Sequence, residues 1–145
     1  MKTIKKNVYY CDFCNKRSLS APSTSKHEKH CTANPNRSCR MCEGNNIGEL
    51  VEGFKKRFTL IPYIEDYGGG YKEDDFKVEW IGDPVTLNEI QETVDYCPAC
   101  VLSVLRQAGF SFHYFGFEYD YKKEVGEYWA EKNKHAQQEH GWENY

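Results

Sequence analysis

The chain has 145 residues, 39% of them apolar and 15% aromatic, with a formal net charge of −3. That length allows one domain, or one domain with a small appendage, and the thin core must draw on Tyr, Phe and Trp. No apolar run approaches the ~18 residues of a membrane span, and the basic start MKTIKKNVYY lacks the apolar stretch of a secretory signal, so a cytoplasmic chain is expected.

Charge is unevenly placed. Residues 1–42 hold nine Lys or Arg against Asp12 and Glu28, whereas residues 43–145 hold ten against twenty Asp or Glu. Lobes of opposite sign either attract each other or face different partners.

In chain order, the first elements form the pattern Cys11-x2-Cys14-x12-His27-x3-Cys31. Two residues between thiolates allow both sulfurs to reach one ion at ~2.3 Å. His27 and Cys31, four apart, stand on one face of a helix. That helix starts at Ser20 or Ala21, with Pro22 at an early position where its missing N–H costs little. His30 is an alternative fourth ligand, although the i,i+4 spacing favours His27. Residues 8–31 resemble the ββα zinc finger of the C2H2 type, in its variant with Cys as last ligand. Ser18 and Thr24 stand where that family carries an aromatic and a Leu, so Leu19 is expected to supply part of the small core. The resemblance places base-reading positions at Ser20, Ser23 and Lys26, which are too small or generic for bidentate base recognition. Any nucleic acid would then be held through phosphates by Lys16, Arg17, Lys26, Lys29, Arg37 and Arg40.

A polar connector, residues 32–38, leads to the pair Cys39-x2-Cys42, after which EGNNIGEL (43–50) reads as turns. FKKRFTLIPYIEDY (54–67) is expected to be extended, with Pro62 at an edge or bulge. Gly68–Gly70 reads as a flexible hairpin connection or loop, and FKVEWIGD (76–83) as the second strand. Thr86-x-x-Glu89 is a capping box opening a helix to about Val94. Cys97-Pro98-Ala99-Cys100 begins a helix over 98–108, with Gly109 just past its end. FSFHYFGFEYDY (110–121) alternates aromatics as a strand does, with a phase shift that predicts a bulge near Phe115–Gly116. Residues 122–140 form a terminal helix with the stripe Val125, Tyr128, Trp129 and Ala136, followed by the tail GWENY.

The expected class is α+β: a basic ββα-type finger (1–34) joined to an acidic, aromatic-rich α+β domain (35–145) with a short antiparallel sheet. A four-cysteine site, Cys39, Cys42, Cys97 and Cys100, pins that domain across the 54 intervening residues. Seven cysteines and His27 make two complete zinc shells, so two Zn²⁺ ions are the expected cofactors. The competing reading, a thioredoxin-like redox pair at Cys97 and Cys100, leaves Cys39 and Cys42 without partners.

Catalysis is not expected. A catalytic zinc keeps a position open for water, and both shells are closed. HNH-type nucleases need a His between their knuckles, and residues 43–96 contain none. The H-x-E…P-C-x-x-C signature of zinc deaminases is absent. Gly68–Gly70 lacks the Lys and Ser/Thr of a phosphate loop, and His113, His135 and His140 are scattered.

Partners are the remaining possibility. Glu65, Asp66, Tyr67, Glu73, Asp74, Asp75, Glu118 and Asp120, beside Tyr63, Tyr71, Tyr119 and Tyr121, suit a basic protein surface, because aromatics anchor interfaces and acids steer. HEKHCTANPNRSCRMC and the later CPAC resemble small zinc-finger proteins of bacteriophages and mobile elements, closely over residues 1–42 and loosely over 97–109 and 119–135. The resemblance implies an accessory protein in the host cytoplasm that binds and modulates or inhibits a host protein, an anti-CRISPR-like inhibitor being one form. Nucleic-acid binding through the basic finger is the alternative.

Overall fold

The structure is a computed structural model that describes residues 1–44 and 47–139, the last five by backbone alone. The Ala136 side chain and the tail 141–145 lie outside the described residues. The chain is α+β, with two antiparallel two-stranded sheets and six helices among the described residues.

The N-terminal unit is a ββα arrangement of β1 (Tyr9–Tyr10), β2 (Arg17–Ser18) and α1 (Ala21–His30). Tyr9 pairs with Ser18 and Tyr10 with Arg17. Ser20 caps α1 by accepting from the Ser23 N–H at 3.3 Å, with Pro22 in the first turn. Leu19 is 58% exposed and does not enter the finger, contrary to expectation. Thr24 is buried instead, its hydroxyl donating to the Ser20 carbonyl at 3.2 Å. Cys11 and Cys31 are the other buried side chains of this unit up to that point. So little apolar burial cannot offset the chain entropy of ordering about thirty residues.

The rest is organised around α4 (Pro98–Ala108), whose Val101 and Val104 are fully buried and pack with Ile90 of α3 (Leu87–Thr93). Where turns and then a strand were expected, residues Gly48–Lys55 form α2. Ile47, Val51 and Phe54, at helical spacing, enter the core. The first long strand therefore starts at Phe58. Arg57, between α2 and that strand, reaches the Glu89 carboxylate and donates to the Asp83 carbonyl at 2.9 Å, fastening the strand to the first turn of α3.

Residues 110–121 hold no strand. Ser111 caps a single helical turn, α5 (Phe112–Phe115), by accepting from the Tyr114 N–H, and Gly116 ends it with a φ of 72°. That turn sends Phe110 and Phe115 inward against Phe58 and Trp80, with centroid separations of 4.9–6.5 Å, while Phe112 is 63% exposed.

β3 (Phe58–Gly68) and β4 (Tyr71–Trp80) form a long hairpin in which Phe58 faces Trp80 and Asp66 faces Lys72. The second strand starts five residues before the expected Phe76, and residues 81–83 leave it. Gly69 and Gly70 have φ of 61° and 81°, the positive values a two-residue turn of this hand requires. The base of the hairpin packs on the aromatic core, and the remainder extends beyond it. The face that begins with Phe58 and Trp80 continues through Leu60, Val78, Pro62 and Phe76 to Ile64, which is 64% exposed.

Asp120 caps α6 (Tyr121–Glu139) by accepting from the Lys123 N–H at 3.2 Å. α6 packs along α4 and reaches back to the first metal-knuckle sequence of the body, where the Tyr128 hydroxyl and the Lys132 ammonium both donate to the Met41 carbonyl, at 3.3 and 3.2 Å. No helix among the described residues is long and apolar enough to cross a membrane.

Candidate metal centres

Two knuckles, 28 residues apart in sequence, are built alike. The Cys11 N–H donates to the Lys16 carbonyl at 3.0 Å, and the Cys39 N–H donates to the Gly44 carbonyl at 3.1 Å. In each, the residue after the second cysteine is left-handed: Asn15 at φ 61° and Glu43 at φ 57°. This backbone turns both cysteines of a pair toward one point. A Cβ at Gly44 would lie 3.2 Å from the Cys42 sulfur, so glycine there keeps the second knuckle tight. The third pair differs, because Cys97 is the N-cap of α4 and Cys100 lies in its first turn.

These elements assemble two clusters, Cys11, Cys14, His27 and Cys31, and Cys39, Cys42, Cys97 and Cys100, with the donor atoms of each within 4.8 Å of one another. In the second, Cys39 and Cys97 sulfurs are 3.6 Å apart, as are those of Cys42 and Cys100. The edge of a zinc–thiolate tetrahedron is about 3.8 Å, from a Zn–S bond of about 2.3 Å. A disulfide would need about 2.05 Å. In the first, His27 Nε2 lies 3.2 Å from the Cys14 sulfur. Donor type, number and spacing fit two zinc sites. A zinc ion would supply cross-linking and charge neutralisation at each.

His27 is the ligand of the first cluster; His30 turns away, its Nδ1 2.9 Å from the Ser38 carbonyl. Cys97 and Cys100 do not form an isolated redox pair, since Cys39 and Cys42 complete their cluster.

The thiols oppose one another's ionisation. The Cys100 thiol and backbone hold Cys97 down at about 5 despite burial, while Cys97 in turn, with burial, pushes Cys100 up. In the first cluster, burial raises Cys14, but hydrogen bonds from His27 and the Lys16 backbone outweigh it and bring the thiol to about 7. Burial pushes Cys31 up to about 11. A divalent cation removes this conflict by letting every sulfur carry its charge.

A hydrogen-bonded connector joins the centres. The Ser38 N–H donates to the Lys29 carbonyl at 3.0 Å, Asn34 Nδ2 to the Glu28 carbonyl at 2.8 Å, and Arg37 Nε to the His30 carbonyl at 3.2 Å. These satisfy the Lys29 and His30 carbonyls at the end of α1 and give the Glu28 carbonyl a donor beside the Cys31 N–H at 3.4 Å. Arg37 is 5% exposed, which removes it from the predicted phosphate contacts. From α4, Gln107 Nε2 donates to the carbonyls of Thr32 and Asn34, and Arg106 to the Thr32 hydroxyl at 2.8 Å. Asn34 and Gln107 escaped the sequence reading, because polar residues in a connector and on a helix carry no periodic signal.

Among the described residues, no ion pair joins residues 1–42 to the remainder. Lys16, Lys26 and Arg40 come together in one cavity, Arg17 lines a smaller neighbouring one, and Lys29 lines neither. Of the acids, Glu65, Asp66, Glu73, Asp74 and Asp75 share the hairpin with Tyr67, whereas Glu118 and Asp120 lie in the segment before α6. Asp66 accepts from the Gly68 N–H at 2.9 Å, and Asp75 accepts from the Phe76 N–H at 2.8 Å and faces His113 at 3.7 Å. Glu65 lies directly opposite Glu73. Desolvation and the carboxylates of Glu65 and Asp75 push the Tyr63 hydroxyl up to about 12.

No protein-family model, no curated protein and no solved structure matches the chain.

Proposed function

We propose that the chain is a non-enzymatic, zinc-stabilised binding protein whose β3–β4 hairpin engages a protein partner carrying a basic, partly apolar surface. The observation that carries this reading is the pairing of Glu65 with Glu73 on a hairpin whose distal part no other element among the described residues covers. Like charges placed directly across a ladder destabilise it. A cation from a partner turns that cost into an attraction, and the apolar side chains of Leu60, Ile64 and Phe76, on the opposite face of the same hairpin, supply contact area to a partner that straddles it.

The mode of contact is through side chains on the two faces and not by strand addition to the free edge of β3. The Phe76 N–H donates to the Asp75 carboxylate, so Pro62 and Phe76 form a non-hydrogen-bonded pair. The N–H that Pro62 lacks would have pointed outward, and its absence interrupts any added strand. The likeness of the N-terminal motif to phage zinc-finger proteins supports a phage accessory factor that modulates or inhibits a host protein.

The test is affinity capture from host lysate with zinc-loaded protein, beside an Ile64→Asp, Phe76→Ser variant of unchanged zinc content and melting temperature. One stoichiometric partner recovered by the parent and lost by the variant is the expected result. Recovery of none, or equal recovery by both, overturns the reading.

A further inference from the structure

A second surface lies on the opposite charge lobe and is independent of the hairpin. Lys16 leaves the first knuckle, Ser23 and Lys26 lie on α1, and Arg40 sits between the two cysteines of the second knuckle. They meet in one open cavity of about 300 Å³, together with His27 and His30. Arg40 reaches it because the connector is held on the end of α1 by the Ser38–Lys29 and Ser38–His30 bonds, at 3.0 and 2.9 Å.

The cavity has three cations and no carboxylate among its lining residues. None of the three makes an ion pair among the described residues. Three ammonium or guanidinium groups held around one space repel each other, and an anion reverses that term. A neighbouring cavity of about 100 Å³ shares Lys16, Ser23 and His27 and adds Arg17 and the Ser18 hydroxyl residue. The positive surface therefore runs on past one anion's width, open to solvent along its length.

We infer that this cleft between the finger and the second knuckle binds successive phosphates of a nucleic-acid backbone. Its cations come from both metal-knuckle sequences, so the two centres jointly shape it. Neither Asn nor Gln lines it, and it has two guanidinium groups, Arg40 in the larger cavity and Arg17 in the smaller. Contacts of this kind position a backbone without reading its bases, so binding is indifferent to sequence.

The test is fluorescence anisotropy with zinc-loaded protein and a labelled duplex at 50 and 200 mM salt, with zinc measured for every variant. Three phosphate contacts predict an affinity loss of about 40-fold across that range, and about 12-fold for Arg40→Gln or Lys16→Ala, which keep two. Lys29→Ala, outside the cleft, retains the parental response. Absence of binding at 50 mM salt overturns the inference, as does an equal effect of Lys29→Ala and Arg40→Gln. Calorimetric binding of inorganic pyrophosphate without duplex binding overturns the backbone assignment in favour of a free phosphate ligand. Loss of zinc on Arg40→Gln overturns it too, because the cations would then serve to balance the thiolates.

Discussion

Gln107 Nε2 lies 3.0 Å from the Asn34 carbonyl, which places the helix that carries half of the second metal centre against the exit of the first. The same amide nitrogen donates to the Thr32 carbonyl at 3.0 Å, and the Asn34 side chain holds the Glu28 carbonyl at the end of α1. A finger that would otherwise swing on a seven-residue connector, 32–38, is thereby fixed to the body. Truncating Gln107 to Ala leaves the Thr32 carbonyl without its donor, while the Asn34 carbonyl keeps the Arg37 N–H at 3.2 Å. The orphaned Thr32 carbonyl costs about 1–2 kcal/mol. Chemical denaturation should show that loss, while native mass spectrometry still counts two zinc ions. Gln107→Glu should cost more, because a carboxylate then faces two carbonyl oxygens.

Removal of metal should act differently on the two centres. The finger buries Thr24, Cys11 and Cys31 and little else, whereas Cys39, Cys97 and Cys100 belong to the main core. Structural zinc contributes an apparent ~10–16 kcal/mol, as much as a whole domain's stability. Cys31→Ser should therefore keep one zinc and a cooperative unfolding transition of the body. Cys97→Ser should lose the near-UV aromatic signal along with its zinc, and a strong chelator should do the same to the parent.

The aromatic segment offers a discriminating pair of substitutions. Strand-like alternation would place Phe110 and Phe112 on one face, yet Phe110 meets Phe54, Phe58, Phe115 and Phe117 at 5.0–6.1 Å while Phe112 points to solvent. Phe110→Ala should cost about 3–5 kcal/mol by urea titration, the range for a large core aromatic. Phe112→Ala should stay within about 0.5 kcal/mol, as exposed positions do.

The contrast shows what a sequence discloses. Metal ligands were legible because a tetrahedral ion imposes fixed spacings, and those spacings survive in the chain whatever fills the gaps. The helices capped by Ser20, Thr86 and Cys97-Pro98 were legible for a similar reason: caps are local chemistry. α2 was not, since Gly48 and Gly53 disguised the Ile47, Val51 and Phe54 periodicity that marks it. α5 was masked by the density of aromatics, in which nearly any period finds matches; the Ser111 cap and Gly116 were the better signals. Polar joints such as Asn34 with Gln107 depend on packing between segments some seventy residues apart, which no local pattern encodes, and Arg37 is buried as the connector folds back on the end of α1.

The hairpin register was equally hidden, and it yields the sharpest expectation for the protein partner. Acidic residues at 65 and 73 say nothing about proximity until the Gly69–Gly70 turn and the irregularity between Asp66 and Gly68 set Glu65 opposite Glu73. Glu73→Lys converts a repulsive cross-strand pair into an attractive one. Fold stability should rise, with a melting-temperature gain of about 2 °C. Binding of a basic partner should fall at the same time, through a slower association rate and a weaker dependence on salt. A surface whose acids merely kept the chain soluble would show the first change without the second. Calorimetric melting beside kinetic measurement on the captured partner separates the two. Affinity lost while stability is gained means that the ladder is strained in favour of recognition.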